Sequence, residues 1–130
     1  MIFADASALI ALIVGEEDAT DLADRLEAHA DRLCSALGVW ETAAGLCRSY
    51  ELLPAEARER VQEFLKEAGF RFVDLGVREW QLAHDAYARY GKGRHPAALN
   101  MGDCFAYACA KTQGAALLYK GEDFKLTDLA

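Results

Sequence analysis

Four acidic residues occupy places where an isolated carboxylate is unexpected. Asp5 is the one charged residue of the opening stretch MIFADASALIALIV. Asp103 precedes the apolar stretch CFAYACA, and Asp123 closely follows a predicted apolar strand in AALLYKGEDF. Glu41 lies within a predicted helix in which the fourth residue before it and the fourth after it are both uncharged. Buried carboxylates are costly unless a cation or hydrogen-bond donors compensate their charge.

Three of these acids also have an ordinary structural interpretation, which the sequence alone leaves open. Asp5 could cap the helix that follows it. Asp103 could close a capping box with Asn100 and face the helix dipole. Asp123 could be a turn residue. The position of all four acids near strand ends and helix starts nevertheless favours a shared role.

The shared role that fits these residue types is a divalent metal site. Hard oxygen ligands select Mg²⁺ or Mn²⁺ over zinc, and no His or Cys is placed to form a softer site. Mg²⁺ held by two or more carboxylates suits phosphoryl chemistry, because the ion can activate a water and offset the charge that develops on phosphorus. The sequence leaves open whether one or two ions bind.

The elements that must position these acids are short apolar strands separated by one or two helices. This order predicts a parallel sheet between helix layers, with ligands bound outside the carboxyl ends of the strands. We expect strands at Ile2–Ala4, Arg32–Ala36, Phe70–Leu75 and Ala115–Tyr119. We expect helices at Ala8–Val14 with Ser7 as N-cap, Asp18–Asp31, Gly38–Leu53, Ala55–Ala68, Val77–Tyr90 and Gly102–Gln113. Trp80 and Tyr87 are expected to pack on the inner side of their helix. Tyr87 and Tyr90 could alternatively stack on nucleic-acid bases.

The bulk composition is that of an ordinary globular protein. The chain has 130 residues, 53% of them hydrophobic and 27% charged, and we expect one domain over residues 1–130. No basic segment precedes the apolar run Ala6–Val14, which is too short to span a bilayer, so we expect no membrane association and a cytoplasmic protein. The four cysteines have no zinc-ligand spacing and are expected to be small buried residues in a reducing compartment.

The net charge of −7 excludes a protein that coats nucleic acid by bulk electrostatics. The charge is uneven, however, since the segment from Tyr87 to Gly102 contains no acid. Lys92, Arg94 and His95 of this segment are candidates for positioning a phosphate close to Asp103, and Lys120 is a second candidate. A solvated loop with ordinary surface charges is an equally good interpretation.

The order of the four acids resembles that of the PIN domain family, and most closely its VapC-type toxins from bacterial toxin–antitoxin pairs. The matching segments are DASALIAL from Asp5, VWETA around Glu41, YGKGRHPAALNMGDCFAYACAK around Asp103 and LLYKGEDFKLTDL around Asp123. The segment from Tyr90 to Lys111 is the most specific, and the resemblance covers nearly the whole chain. One departure is Trp40, where relatives often have a small or aliphatic residue before the helical Glu.

The resemblance implies a three-layer α/β/α sandwich with a central, mainly parallel sheet of four to five strands. It also implies a Mg²⁺- or Mn²⁺-dependent endoribonuclease in which Asp5, Glu41, Asp103 and Asp123 bind metal and carry catalysis. Ser7 corresponds to a hydroxyl that the family often places beside the metal site. The implied partners are an RNA substrate, a cognate VapB-type antitoxin and a second copy of the chain, with DNA contacted only through the antitoxin.

Other functions fit the residues less well. An aspartyl phosphatase of the haloacid dehalogenase type needs Asp-x-Asp at the first strand, and here the third residue is Ser7. A response-regulator receiver needs paired acids at the first strand, which are missing. A structure-specific DNA nuclease would need insertions that this chain lacks. A PIN-fold binding module without catalysis is the remaining alternative, and the presence of all four acids argues against it.

Overall fold

Four short strands and six α-helices alternate along the chain in a computed structural model that describes residues 1–130. The strands are β1 (Ile2–Ala4), β2 (Arg32–Cys34), β3 (Phe70–Phe72) and β4 (Ala116–Leu118). The helices are α1 (Ala6–Val14), α2 (Ala19–Glu27), α3 (Ala36–Tyr50), α4 (Pro54–Glu67), α5 (Val77–Tyr90) and α6 (Met101–Gln113). A 3₁₀ turn at Asp123–Leu126 follows β4. None of the helices has the length and hydropathy that a membrane-spanning helix needs.

The strands form one sheet in the order β3-β2-β1-β4, and every pair is parallel. This confirms the predicted parallel sheet and fixes the number of strands at four. From β1 the chain adds β2 and β3 on one side and then places β4 on the other side. The direction of strand addition therefore reverses between β1 and β4. Ligands of open parallel sheets bind in the crevice outside the carboxyl ends of the strands at such a reversal.

Helices cover both faces of the sheet, as the sandwich prediction requires. Ile2 and Ala4 of the central strand β1 pack against a core formed with α1, α2, α3 and α4. Phe3 points to the opposite face and packs against a core formed with α5 and α6. Because successive side chains of a strand alternate between faces, three residues of one short strand anchor both helix layers.

Several predicted boundaries were wrong in detail. Strand β2 ends at Cys34 and not at Ala36, and helix α3 spans Ala36–Tyr50 and not Gly38–Leu53. Helix α1 begins two residues earlier than expected, because Asp5 and not Ser7 is its N-cap. Helix α2 ends at Glu27 and not at Asp31, because its buried stripe ends with Leu26 and the chain then turns into β2. Strand β3 ends at Phe72 because Phe72 pairs with Cys34, the last residue of its one partner strand β2.

The packing predicted for the aromatic residues of α5 was also wrong. The buried stripe of this helix consists of Ala83, Ala86 and Tyr90, with Glu79 at its start. Two of these are alanines, so α5 approaches α6 closely and larger side chains at neighbouring positions are left outside the contact. Trp80 is 57% exposed and Tyr87 is 43% exposed. Helical periodicity correctly predicted that Ala83, Ala86 and Tyr90 are buried, but it wrongly added Trp80 and Tyr87 to the buried face.

The cysteines are all free thiols, and three of them are buried as predicted. Burial raises the pKa of Cys34 and of Cys109 to about 12 and that of Cys104 to about 11. At neutral pH these three side chains are protonated and act as small core residues.

Candidate active site

The crevice outside the carboxyl ends of β1 and β4 is the place where the structure brings the predicted acids together, and it is called the crevice below. Asp5 lies there because it is the first residue after β1. Its backbone N–H donates to the carbonyl oxygen of Leu118 at 2.9 Å, which continues the β1–β4 pairing by one residue. Its side chain caps α1, since Oδ2 accepts hydrogen bonds from the Ser7 N–H at 3.0 Å and from Ser7 Oγ at 2.6 Å. Ser7 Oγ accepts in turn from the backbone N–H of Lys120 at 3.0 Å. One hydroxyl therefore ties the Asp5 carboxylate to the segment after β4.

The carboxyl group of Asp5 is buried without a cation. The residue is 6% exposed, and it takes part in no ion pair. Burial raises its pKa above the ordinary value, the hydrogen bonds from Ser7 oppose that rise, and the charge of Asp123 adds to it. Helix capping thus supplies donors to this carboxylate but leaves most of its charge uncompensated.

Glu41 reaches the same crevice from the helix layer that contains α3. This helix begins directly after β2, where Ser35 Oγ accepts the N–H of Gly38 at 3.1 Å and so caps the helix. Glu41 is half-buried in the second turn and forms no ion pair. Burial raises its pKa to about 7, with further contributions from the charges of Asp5 and Asp103. These contributions show that the three carboxylates are close enough to repel one another.

Gly102 gives Glu41 the room to approach α6. A methyl group built at Gly102 would overlap the Glu41 carboxylate, with the carboxyl carbon and Oε1 each only 2.5 Å away. Sequence reasoning missed this residue. The signal was a glycine in the first turn of a helix, where it costs about 1 kcal/mol relative to alanine and therefore needs a packing reason.

Asp103 enters the site from the other helix layer, at the start of α6. Its Oδ2 accepts the N–H of Asn100 at 3.1 Å, and Asn100 Oδ1 accepts the N–H of Asp103 at 2.9 Å. This is the capping box that the sequence allowed as a structural interpretation. Capping does not explain the residue fully, because its pKa is raised to about 6, mainly by burial and in addition by the charges of Asp5 and Asp123, despite the opposing hydrogen bond from Asn100.

Asp123 is the most exposed of the four acids and begins the 3₁₀ turn after β4. The next residue, Phe124, is buried and packs against the ring of Tyr119 at a centroid distance of 5.2 Å. This anchor fixes the turn, so Asp123 faces the crevice closely enough to affect the pKa of Asp5 and of Asp103.

The donor set of the crevice fits a hard divalent cation. Four carboxylates from separate elements converge there, none of them is ion-paired, and three have raised pKa values. As the side chains stand, no three His, Cys, Asp or Glu groups form a coordination cluster. Mg²⁺ does not require one, because it usually keeps several waters and takes one or two carboxylates directly.

The predicted phosphate-positioning residues fall into two groups. Lys92 and Arg94 are exposed and form no ion pair, and the Arg94 guanidinium lies 5.3 Å above the ring of Tyr87. His95 is half-buried, its Nδ1 accepts the N–H of Ala97 at 3.0 Å, and it packs edge-on against Tyr90. The structure therefore gives His95 a role in shaping the loop and leaves the two cations free.

Lys120 lies beside the crevice but is already paired. Its Nζ contacts Glu16 at 2.9 Å and Asp18 at 3.3 Å, and Glu16 also accepts a hydrogen bond from the hydroxyl of Tyr50. Contact with a phosphate would require Lys120 to exchange these partners, so that role stays a prediction.

A known family matches almost the whole chain. The sequence profile of the PIN domain family matches residues 2–129. The chain belongs to the PIN domain family. This confirms the resemblance inferred from the four acids and their order, and it makes the α/β/α sandwich described above a PIN domain.

Relatives of this PIN domain include VapC ribonucleases of similar length. A VapC ribonuclease of Rhizobium meliloti (strain 1021) is 41% identical, and the alignment covers 99% of each chain. Ribonuclease VapC30 of Mycobacterium tuberculosis (strain ATCC 25618 / H37Rv) is 40% identical, over 97% of this chain and 94% of the relative. Ribonuclease VapC of Mycolicibacterium smegmatis (strain ATCC 700084 / mc(2)155) is 39% identical, over 97% and 95%.

A solved structure supports the fold independently. The crystal structure of Mycobacterium tuberculosis VapC20, a toxin that cleaves the sarcin-ricin loop, superposes with a TM-score of 0.73. The two chains are 19% identical, and the match covers 96% of this PIN domain and 93% of VapC20. At that identity the likeness concerns the fold.

The role assigned to Gly102 predicts a loss of metal affinity on Gly102→Ala. The added methyl group must push the Glu41 carboxylate out of the crevice, so we expect Mn²⁺ affinity to fall roughly 10- to 100-fold, as for other residues that orient a ligand. Free Mn²⁺ measured by electron paramagnetic resonance reports the affinity. The matched control is Gly38→Ala, whose methyl group would meet only Ser35 Oγ at 3.5 Å. Equal Mn²⁺ affinity in the two variants would contradict the assignment.

The raised pKa values predict an unusual pH dependence of stability in EDTA. Between about pH 4.5 and 7 the unfolded chain ionises Glu41 and Asp103, whereas the folded chain retains their protons. The folded state then binds more protons, so the free energy of unfolding must fall as pH rises. We expect the Tm to drop by roughly 5 °C from about pH 5 to 7.5.

Two substitutions test whether the fall of the Tm with rising pH comes from the acids of the crevice. Glu41→Gln removes one titrating group and should flatten the decrease, whereas Glu63→Gln on the exposed face of α4 should leave it unchanged. Acids with lowered pKa values do not interfere, because Asp128, for example, has a pKa of about 2 and affects stability only at lower pH. A Tm that is constant or rises across this range would refute the electrostatic description.

Proposed function

We propose that this PIN domain is a Mg²⁺- or Mn²⁺-dependent endoribonuclease that acts as the toxin of a toxin–antitoxin pair. The observation that carries the proposal is the convergence of Asp5, Glu41 and Asp103 from three elements, with raised pKa values and without a cation. Relatives of near-equal length that are named VapC ribonucleases support the same activity. The alternative, a PIN-fold module without catalysis, leaves the free-energy cost of three repelling carboxylates unexplained.

The residues of the crevice would act either as ligands of the ion or as groups that position those ligands. Asp5, Glu41 and Asp103 would hold it directly or through water, and Asp123 would complete the set at the solvent side. When bound, the ion would lower the pKa of a water and offset charge on the scissile phosphate. Ser7 fixes the Asp5 carboxylate, Asn100 fixes that of Asp103, and the missing side chain of Gly102 admits that of Glu41.

The proposed partners follow from the family and from the charge of the crevice. A cognate VapB-type antitoxin would neutralise the toxin, and a basic segment of that antitoxin suits an acidic crevice without cations of its own. We further propose a homodimer, a higher assembly with the antitoxin, and contact with operator DNA through the antitoxin only. RNA is the proposed substrate, and hydrolysis would leave 3′-hydroxyl and 5′-phosphate ends.

The proposed activity predicts that Asp5→Asn abolishes RNA cleavage without unfolding the chain. Asparagine is also a good N-cap, so α1 should remain capped. We expect the cleavage rate of cellular RNA in Mn²⁺ to fall at least about 100-fold, since charge stabilisation at a reacting phosphate is lost. Growth arrest on expression should be relieved in parallel.

The control for this experiment is Asp74→Asn, which changes an exposed acid in the loop after β3. This variant should cleave RNA and arrest growth like the parent chain. If Asp5→Asn and Asp74→Asn are equally toxic, or if the parent chain shows no nuclease activity with Mg²⁺ or Mn²⁺, the proposed function is wrong.

A further inference from the structure

A second feature of the molecule is an apolar groove between α5 and the first turn of α6, here called the α5–α6 groove. Its volume is about 430 Å³, within the range of small-ligand pockets. Its largest apolar lining side chains are three aromatic residues and a methionine. Its principal lining residues are Trp80, His84, Tyr87, Lys92, Met101 and Phe105.

Three of the large apolar side chains of this groove are exposed and do not belong to the hydrophobic core. Trp80, Tyr87 and Met101 are 57%, 43% and 65% exposed. They lie just outside the buried α5–α6 contact, which the smaller residues Ala83 and Ala86 complete without them. Clusters of exposed large apolar residues on a folded protein commonly mark a binding surface.

The charge around the groove is positive although the chain as a whole carries −7. Lys92 lines the groove and Arg94 lies over the Tyr87 ring at 5.3 Å, and neither forms an ion pair. The acids of the adjoining helices face elsewhere. Glu79 is buried and accepts the N–H of Gly76 at 2.8 Å, while Asp85 lines a different depression on the far side of α5.

The groove and the acidic crevice share the first turn of α6. Asn100 and Met101 line the groove, and the two hydrogen bonds of the capping box join Asn100 to Asp103 of the crevice. The two sites therefore adjoin at the N-terminus of α6. A single strand that crosses the N-terminus of α6 can occupy both.

We propose that the α5–α6 groove binds an unpaired base of single-stranded RNA whose neighbouring phosphates contact Lys92 and Arg94. The proposal rests on the proposed ribonuclease function and assigns a substrate subsite to it. Exposed aromatic rings beside cations are the combination that binds single-stranded nucleic acid, because every base has a face that can stack and every phosphate a charge. The groove would hold the strand while its neighbouring phosphodiester lies in the crevice.

A second copy of the chain is a less suitable occupant. A stable protein interface buries about 800 Å² on each partner, far more than this local depression offers. A copy that carries −7 could place acids against Lys92 and Arg94, but it would not explain aromatic walls arranged around a pocket. Association of two copies through this groove would make the Trp80 emission depend on protein concentration.

The two tryptophans of the chain make the proposal directly measurable. Trp80 lines the α5–α6 groove, while Trp40 lines a separate apolar groove formed by α3, α4 and β3. Trp40→Phe leaves Trp80 as the only tryptophan, and Trp80→Phe leaves Trp40. Each variant is titrated in EDTA, where no cleavage occurs, with a single-stranded RNA of about a dozen nucleotides.

We expect the RNA to quench Trp80 fluorescence and to leave Trp40 fluorescence unchanged. Inorganic polyphosphate, which has the charge but no bases, should not quench Trp80. Tyr87→Ala in the Trp40→Phe background should weaken RNA binding roughly 10-fold. Lys66→Gln, at the Trp40 groove, should leave the affinity unchanged.

Four results would overturn the proposal. They are no quenching of Trp80, equal quenching of both tryptophans, equal quenching of Trp80 by polyphosphate, and Trp80 emission that depends on protein concentration without RNA. The last result would identify the groove as an interface between copies. Asp5→Asn separates this test from that of the proposed function, because a variant that no longer cleaves RNA should still show the Trp80 quench.

Discussion

Repulsion between carboxylates at one rim of the sheet is the constraint around which the site is built. Asp5, Glu41 and Asp103 arrive from β1, α3 and α6, and each has a raised pKa because burial and the neighbouring acids disfavour its charge. Folding must therefore hold together groups that would separate if they were free. A bound divalent cation, as proposed above, would offset this repulsion and stabilise the folded chain.

The fold tolerates this repulsion because three of the four acids are held by different local interactions. Asp5 is a helix cap, Asp103 belongs to a capping box, and Asp123 follows a turn anchored by Phe124. Glu41 has no such device and enters only because Gly102 leaves space for it. The two helix layers meet at this point, so the packing distance between α3 and α6 and the geometry of the site are linked.

The features that were predictable from sequence are those that depend on local pattern. The parallel sheet followed from the alternation of strands and helices, and the four acids stood out because their neighbours are apolar. Asp103 was correctly placed in a capping box with Asn100. Glu41 was singled out because helical spacing offered it no partner.

The features that were missed depend on contacts between distant segments. Lys120 pairs with Glu16 more than a hundred positions away, and no local pattern reveals that. Trp80 and Tyr87 lie beside the buried stripe of α5, and the position of its edge is decided by how closely α6 approaches. Gly102 matters only because Glu41, on another helix, fills the space that a side chain would occupy.

The central claim is that separated acids share one cation, and the protons released on metal binding test it most directly. Calorimetric titration with Mn²⁺ in buffers of different ionisation enthalpy counts these protons. Because the pKa values of Glu41 and Asp103 are about 7 and about 6, we expect binding to release between about one and two protons per chain near pH 6 and markedly fewer near pH 8. Failure to bind Mn²⁺ at millimolar concentration, or binding with no proton release at either pH, would contradict the account.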